Sequence, residues 1–105
     1  MTLKVLIPPS VDLAVLHIDL WWRTHRDKAP DLFEEEFAAA IELLAESPHI
    51  GRLYQPSRHQ GTRRLLLRST RFHIYYVVDG DVLSVISIWS AIDGHGPDLG
   101  RKSAP

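Results

Sequence analysis

The chain has 105 residues, 45% of them hydrophobic and 24% charged, with a formal net charge of −1. This length and composition favour one globular domain over 1–105. We expect it to be ordered over about 3–98 and frayed over 99–105. It has no cysteine, which excludes disulfides and thiolate metal sites. No apolar run approaches the roughly 20 residues that cross a bilayer, and no leader pattern opens the chain, so we expect a cytoplasmic protein without membrane contact.

The chain opens with a predicted strand followed by a helix. The strand spans Leu3–Ile7 and ends at Pro8-Pro9, because proline cannot donate to a strand ladder. Ser10 is placed to cap a helix over Val11–Arg26. The core-facing stripe of this helix follows a spacing of three and four residues: Val11, Ala14, Val15, Ile18, Trp21 and Trp22.

This first helix is more apolar than one core-facing stripe requires. Leu13, Leu16 and Leu20 form a second apolar strip. Trp21 and Trp22 are adjacent and therefore point about 100° apart on a helix, so they cannot be equally buried. We predict that one tryptophan lies in the core and that the other joins the leucines in a protein interface, where tryptophan is enriched.

A second, acidic helix is predicted over Pro30–Glu46. Proline suits the first helical position, acidic side chains are favourable in the first turn, and Ser47-Pro48 ends the helix. Residues 27–46 hold seven acids and a single base, Lys28. The connection over 27–29 is so short that the two helices must form an antiparallel hairpin.

The segment from 47 to 78 is basic, with six arginines and no acid. The arginines are Arg52, Arg58, Arg63, Arg64, Arg68 and Arg71. This pattern predicts a basic sheet surface. The alternative is that the arginines are solvated and only discourage edge-to-edge pairing of strands.

Three strands, at about 63–68, 72–78 and 82–89, are predicted to form an antiparallel meander. Asp79-Gly80 suits a two-residue turn, which would place Tyr76 opposite Leu83. Alternation then directs one set of side chains toward the helices: Phe72, Ile74, Tyr76, Val78, Leu83, Val85 and Trp89. His73 and Tyr75 fall on the opposite face, where we expect a ligand surface. The predicted fold class is α+β, with an N-terminal strand, an α-helical hairpin and this meander.

Four segments carry a family resemblance: LAESPHIGR at 44–52, GTRRL at 61–65, RFHIYYVVDGD at 71–81 and SIWSA at 87–91. With the order of elements, they resemble the RelE/ParE toxin superfamily over about residues 3–98, and four motifs in order are more specific than any one. The resemblance implies that the first strand joins the same sheet. It also implies the toxin of a bacterial type II toxin–antitoxin system, neutralised by a small, partly disordered antitoxin with an acidic segment.

The resemblance implies one of two activities. ParE-like members poison DNA gyrase, whereas RelE-like members cleave messenger RNA on the ribosome without a metal, through the 2′-hydroxyl and basic side chains. Candidate groups for cleavage are Arg64, Arg68, Arg71, His73, Tyr75 and His95. At the end of the last strand, however, Ile92-Asp93 replaces the arginine or lysine typical of the family, and Asp93 would repel a phosphate. ParE-like binding is therefore favoured over RelE-like cleavage, and a degenerate, non-toxic binding module is a third hypothesis.

Binding of the antitoxin or target is assigned to the apolar strip and the arginines. The candidates are Leu13, Leu16, Leu20, Trp21, Trp22, Arg63, Arg64, Arg68 and Arg71. No cofactor is implied, and no metal site either, because the spacing of His17, His25, His49 and His59 favours solvated histidines. The resemblance also admits a homodimer, or a heterotetramer with the antitoxin.

Overall fold

A computed structural model of the protein describes residues 2–100 as a five-stranded mixed sheet with two helices on one face. The helices are α1 (Pro9–His25) and α2 (Leu32–Glu46), and the strands are β1 (Lys4–Leu6), β2 (Arg52–Leu53), β3 (Arg63–Leu67), β4 (Phe72–Asp79) and β5 (Val82–Ser90). The strand order is β1-β5-β4-β3-β2, with β1 parallel to β5 and all other neighbours antiparallel. The predicted α+β fold, with the first strand in the same sheet, is confirmed. The prediction that residues 99–105 fray falls mostly on 101–105, which lie outside the described residues.

Both helices begin at residues other than those predicted. In α1 the N-cap is Pro8 and the helix starts at Pro9, so Ser10 lies inside the first turn and is not the cap. Proline fits there because its φ is preset and the N–H it lacks would have no partner in a first turn. In α2 the N-cap is Asp31, so Pro30 precedes the helix and does not occupy its first position.

The core lies between the two helices and the inner face of the sheet. Its buried members are Val11, Trp22, Phe33, Ala40, Leu44, Leu67, Ile74, Tyr76, Leu83, Val85 and Ile88. The Trp22 indole N–H also donates to the carbonyl of Ala29 at 3.0 Å, which ties the end of α1 to the interhelical turn. Burial of each large side chain contributes about 1.5–3 kcal/mol, so this layer is what holds the hairpin on the sheet.

The β4–β5 hairpin differs from the prediction. Asp79 pairs with Val82, so the loop is Gly80-Asp81 and not Asp79-Gly80, and Gly80 takes a φ of 61°. Further along, Tyr76 pairs with Val85, not Leu83, and Tyr75 with Ser87, which leaves one extra residue in β5, Ile86, as a bulge. A bulge reverses the alternation beyond it. Ile88 therefore faces the core, and the prediction that Trp89 does so is wrong.

Candidate functional site

The outer face of the sheet, the face away from the helices, is built from alternate residues of four strands. The β3–β4 register places Arg64 beside Tyr75 and Leu66 beside His73. Arg52 of β2 pairs with Arg64, and Trp89 of β5 pairs with His73. His73 and Tyr75 thus share the outer face with arginines, as the alternation of β4 predicted.

One half of this face is covered by Tyr54 and by residues 94–100, here called the C-terminal strap. The Tyr54 ring meets the Tyr75 ring edge-on, with centroids 4.8 Å apart. The strap passes so close that a Cβ on Gly96 would lie 2.5 Å from the Tyr54 hydroxyl and 3.6 Å from the Tyr75 hydroxyl. The amide of Arg58 donates to the carbonyl of Leu99 at 3.2 Å, which fastens the strap.

Tyr75 is consequently only 1% exposed. Burial raises the pKa of the Tyr75 phenol, and a long hydrogen bond from the Arg64 guanidinium, 3.4 Å, offsets the rise only in part. Tyr75 is therefore a protonated phenol with no access to a ligand while the strap is in place. Sequence alternation placed it on the correct face but gave no sign of the cover.

The other half of the outer face opens into a hollow of about 350 Å³, here called the basic hollow. Its walls are Ile50, Arg52, Arg64, Leu65, Leu66, Arg68 and His73. Within residues 2–100, the guanidinium groups of Arg52 and Arg68 form no hydrogen bond or ion pair. The Arg64 guanidinium lies 5.1 Å from the centre of the Tyr54 ring, a cation–π contact. The basic hollow can therefore receive an anion with two unengaged guanidinium groups.

His73 stands at the boundary between the covered half and the basic hollow. Its ring is half-buried and lies edge-on to Tyr75, with centroids 5.9 Å apart. Burial and, second, the positive charge of Arg64 lower the pKa of His73 below 6.5. The imidazole is therefore mostly neutral at pH 7 and is able to accept a proton.

Three further residues of the predicted basic and catalytic set lie away from the basic hollow. The Arg63 guanidinium donates to the carbonyls of Gly51 and His49, at 2.8 and 3.3 Å, and so fastens the chain that leaves α2. Arg71 occupies the β3–β4 turn with a φ of 66°. His95 belongs to the strap, where its carbonyl accepts the Trp89 indole N–H at 3.0 Å.

Sequence reasoning missed Arg52 and Ile50 as members of this site. Arg52 is the first residue of β2 and Ile50 lies just before this strand, which has two residues and is too short to show an alternating pattern. The signal that was available is the absence of acids over 47–78, which already included Arg52 among the candidates for a basic surface.

The exposed side of α1 is a second candidate surface. Leu13, Leu16 and Leu20 are each about half exposed, and they form one strip along the helix. Trp21 is 45% exposed and Trp22 only 8%, so Trp21 is the surface tryptophan. The Trp21 ring is stacked on His25, with centroids 4.4 Å apart, and the Arg26 guanidinium covers it.

A groove of about 480 Å³ between α1 and α2, here called the helix groove, adjoins this strip. Its walls are Pro9, Asp12, Leu13, Val15, Leu16, Asp19, Phe33, Glu34 and Phe37. Arg23 closes one end through ion pairs with Asp19, Asp31 and Glu34, which also join α1 to the start of α2. The floor of the groove is apolar and its rim acidic.

Residues 2–100 contain no cluster of three or more histidines and carboxylates that could hold a metal ion. No helix in the same range is both long and apolar enough to cross a membrane.

Comparison with known proteins gives a family and a fold. Residues 13–92 match the family described as "ParE toxin of type II toxin-antitoxin system, parDE". No curated protein matches the chain. Among solved structures, the free state of an E. coli RelE toxin in which two arginines are replaced by alanine is similar, with a TM-score of 0.59 and 20% identity over 88% of this chain and 86% of that one. That likeness concerns the fold, whereas the family match spans most of the sequence. The chain belongs to the ParE family of toxins from type II toxin–antitoxin systems.

Proposed function

We propose that this toxin arrests growth by binding a protein target, DNA gyrase, and that an antitoxin neutralises it. Membership of the family implies the antitoxin partner. The choice of a protein target rests on one observation: the basic hollow brings together only some of the groups that RNA cleavage would use, and Tyr75, Arg71 and His95 lie outside it. Metal-free cleavage needs a proton acceptor, a proton donor and cationic groups around the same phosphate.

The positions of the candidate groups carry this argument. Tyr75 is covered by the strap, Arg63 is engaged by backbone carbonyls, and Arg71 lies in a turn. Past the end of β5, Ile92 is 74% exposed and Asp93 is exposed beside it, so that end of the face offers a carboxylate where a phosphate would need a cation. Binding a protein surface requires none of these groups to converge.

For the antitoxin we propose the exposed strip of α1 and the helix groove as its docking surface. Leu13, Leu16 and Trp21 are apolar side chains that the toxin's own core leaves in water. An amphipathic helix with apolar anchors three and four residues apart fits such a groove.

RelE-like cleavage of ribosome-bound messenger RNA is the second candidate, favoured by one specific observation. Burial lowers the pKa of His73, which favours the neutral imidazole, and the ring borders the basic hollow. His73 is thus placed to accept the proton of a 2′-hydroxyl whose phosphate is bound by Arg52, Arg64 and Arg68. Substituting His73 therefore separates the two candidates.

The test combines growth with two purified reactions. Induced expression without the antitoxin should arrest growth, and the purified toxin should inhibit DNA supercoiling by gyrase while leaving ribosome-bound messenger intact. His73→Gln should leave the inhibition of gyrase unchanged. If the messenger is cut, and the cut is lost in His73→Gln, the second candidate is correct. If expression does not slow growth, the chain is a binding module without toxicity.

A further inference from the structure

We propose that the C-terminal strap is an autoinhibitory cover over a binding surface for single-stranded nucleic acid. When the strap swings away from the sheet, the covered half of the outer face joins the basic hollow in one aromatic and cationic surface. While the strap is closed, that surface is incomplete. The inference does not rest on the proposed function, which concerns a protein target.

The first step of the argument is a hinge between β5 and the strap. The amide of Ala91 donates to the carbonyl of Arg71 at 2.8 Å, so the chain is fixed to the β3–β4 turn up to this point. Residues 92–94, which follow, are exposed, and a Cβ on Gly94 would meet nothing within 4 Å. Segments with few packed contacts open locally at a small cost in free energy. The strap can therefore turn away from the sheet about residues 92–94.

The second step is how the strap is held closed. Two hydrogen bonds end on its backbone carbonyls, one from the Trp89 indole to His95 and one from the Arg58 amide to Leu99. Pro97, which lies between these two carbonyls, is buried. A hollow of about 490 Å³ adjoins Pro97 and Leu99, so the strap is not tightly packed along its whole length.

The third step is what lies beneath the strap. The rings of Tyr54 and Tyr75 meet edge-on under Gly96, and the Arg64 guanidinium lies over the Tyr54 ring. His73 is edge-on to Tyr75 on one side and borders the basic hollow on the other. The rings and the guanidinium group thus form a continuous row that runs from under the strap into the basic hollow.

This row and the basic hollow together suit a single-stranded nucleic acid. Such ligands are held by cationic groups along their backbone and by aromatic rings on which their bases stack. The basic hollow supplies the guanidinium groups of Arg52 and Arg68. The rings become available only when the strap moves, since Tyr75 is 1% exposed in the closed form. The closed form can therefore attract phosphates, but it cannot stack bases.

The test opens the strap with substitutions in the full chain. A Cβ on Gly96 would lie 2.5 Å from the Tyr54 hydroxyl, so Gly96→Val should force the strap and the ring apart. Gly94→Val is the matched control, because a Cβ there meets nothing. Pro97→Ser removes a buried ring and loosens the strap by a second route. Hydrogen exchange of the Arg58 amide, which donates to the strap, measures the opening.

Binding is measured by fluorescence anisotropy with a labelled strand of ten deoxythymidines. This strand has no 2′-hydroxyl, so a cleavage activity cannot consume it. We expect Gly96→Val and Pro97→Ser to bind it on the order of tenfold more tightly than the natural chain, a gain typical of one stacked base. Gly94→Val should bind it as the natural chain does.

Two controls separate stacking from charge. Adding Tyr54→Ala to Gly96→Val should remove most of the gain, since a stacking ring is lost. An abasic strand of the same length, which keeps the phosphates, should bind Gly96→Val and the natural chain equally. Circular dichroism checks that each variant is folded.

Each of four results would overturn the proposal. They are amide exchange at Arg58 that rises in neither Gly96→Val nor Pro97→Ser, exchange that rises without tighter binding of the strand, an equal gain in Gly94→Val, and an equal gain for the abasic strand or for a ten-residue polyglutamate. The last would assign the open surface to phosphate or peptide charge and not to bases. The growth and gyrase assays are independent of these measurements, so failure here with growth arrest intact leaves the proposed function in place.

Discussion

At the scale of single residues, Gly51 shows how the helical hairpin is joined to the sheet. Its amide donates to the Tyr76 hydroxyl at 3.0 Å, and that hydroxyl donates to the carbonyl of Pro48 at 2.8 Å. A Cβ at this position would lie 2.5 Å from the same hydroxyl and 2.9 Å from the carbonyl oxygen of Arg64. Only glycine therefore allows the chain leaving α2 to come this close to β3 and β4.

Gly51→Ala should lower the free energy of unfolding by about 1–3 kcal/mol, because the backbone must move away from two fixed oxygens. Gly94→Ala is the matched control and should have little effect, since a Cβ there meets nothing within 4 Å. Tyr76→Phe removes the nearer oxygen, so the cost of the double variant should be less than the sum of the two single costs. Additive costs in urea denaturation would contradict this account.

Glu36 links α2 to the β3–β4 turn and gives stability a dependence on pH. Its carboxylate accepts hydrogen bonds from the amides of Ser69 and Thr70 and from the Thr70 hydroxyl. Burial alone would raise the pKa of Glu36, but these bonds outweigh it and bring the pKa below its ordinary value of 4.5. The folded protein therefore holds the ionised form more tightly than the unfolded chain does, and this stability is present above pH 4.5 and lost as the pH falls through the folded-state pKa.

Glu36→Gln should consequently cost on the order of 1 kcal/mol at pH 7, because the amide group cannot accept all three bonds. The same variant should lose less stability than the natural chain between pH 5 and pH 3. Urea denaturation at a series of pH values measures both effects. Parallel pH profiles for the two proteins would show that another carboxylate is responsible.

At the scale of secondary-structure elements, α1 carries two neighbouring tryptophans with different expected roles. Trp22 should stabilise the fold, and Trp21 should bind the antitoxin. Trp22→Ala should destabilise the fold by about 3–5 kcal/mol, since it opens a cavity in the core and removes the bond to Ala29. Trp21→Ala should leave the fold intact and weaken antitoxin binding by about 2 kcal/mol. Thermal unfolding and titration with the antitoxin measure the two quantities. A folded Trp21→Ala variant with undiminished affinity would place the interface elsewhere.

The elements that could be predicted are those whose side chains repeat with a period. The stripe of Val11, Val15 and Ile18 indicated α1, and the alternation in β3 and β4 indicated the meander. The Ile86 bulge has no residue signature, and one extra residue was enough to exchange the roles of Ile88 and Trp89. The loop of the β4–β5 hairpin lies one residue later than predicted, because Asp-Gly and Gly-Asp are both suited to tight turns. Asp79 belongs to β4 and not to the loop.

The sequence predicted the basic character of the candidate site, but only some of the residues that form it. A basic outer face with His73 followed from the composition of 47–78 and from alternation. Which arginines are unengaged depends on contacts between distant segments: Arg63 is engaged because the chain after α2 returns beneath it, and Tyr75 is covered because the strap folds back. Such contacts leave no local pattern in the sequence.

At the scale of the whole molecule, the near-zero net charge is the sum of two surfaces of opposite charge. The rim of the helix groove is acidic, with Asp12 and Glu34, whereas the basic hollow on the other side of the sheet is cationic. A partner that contacts both surfaces must carry charge of both signs in different segments. Long-range attraction of this kind acts mainly on the rate of association.

The double variant Arg64→Glu with Arg68→Glu should therefore slow association with the antitoxin and reduce the dependence of that rate on salt. The dissociation rate should change less than the association rate. Stopped-flow mixing at several salt concentrations measures both rates, with Arg71→Glu as the control for net charge. An unchanged association rate would show that the outer face does not attract the partner.

The parallel pairing of β1 with β5 has a consequence for synthesis. Lys4 pairs with Val82, 78 positions later in the chain (82 − 4). At about 5–20 residues per second, the ribosome adds the second residue about 4–16 s after the first. In that interval α1 and α2 have been made, but the strand that covers their inner side has not. If the antitoxin docks on α1 as proposed, the residues of its surface are made before the sheet is complete, and we expect the antitoxin to be able to bind the nascent chain before the toxin can act.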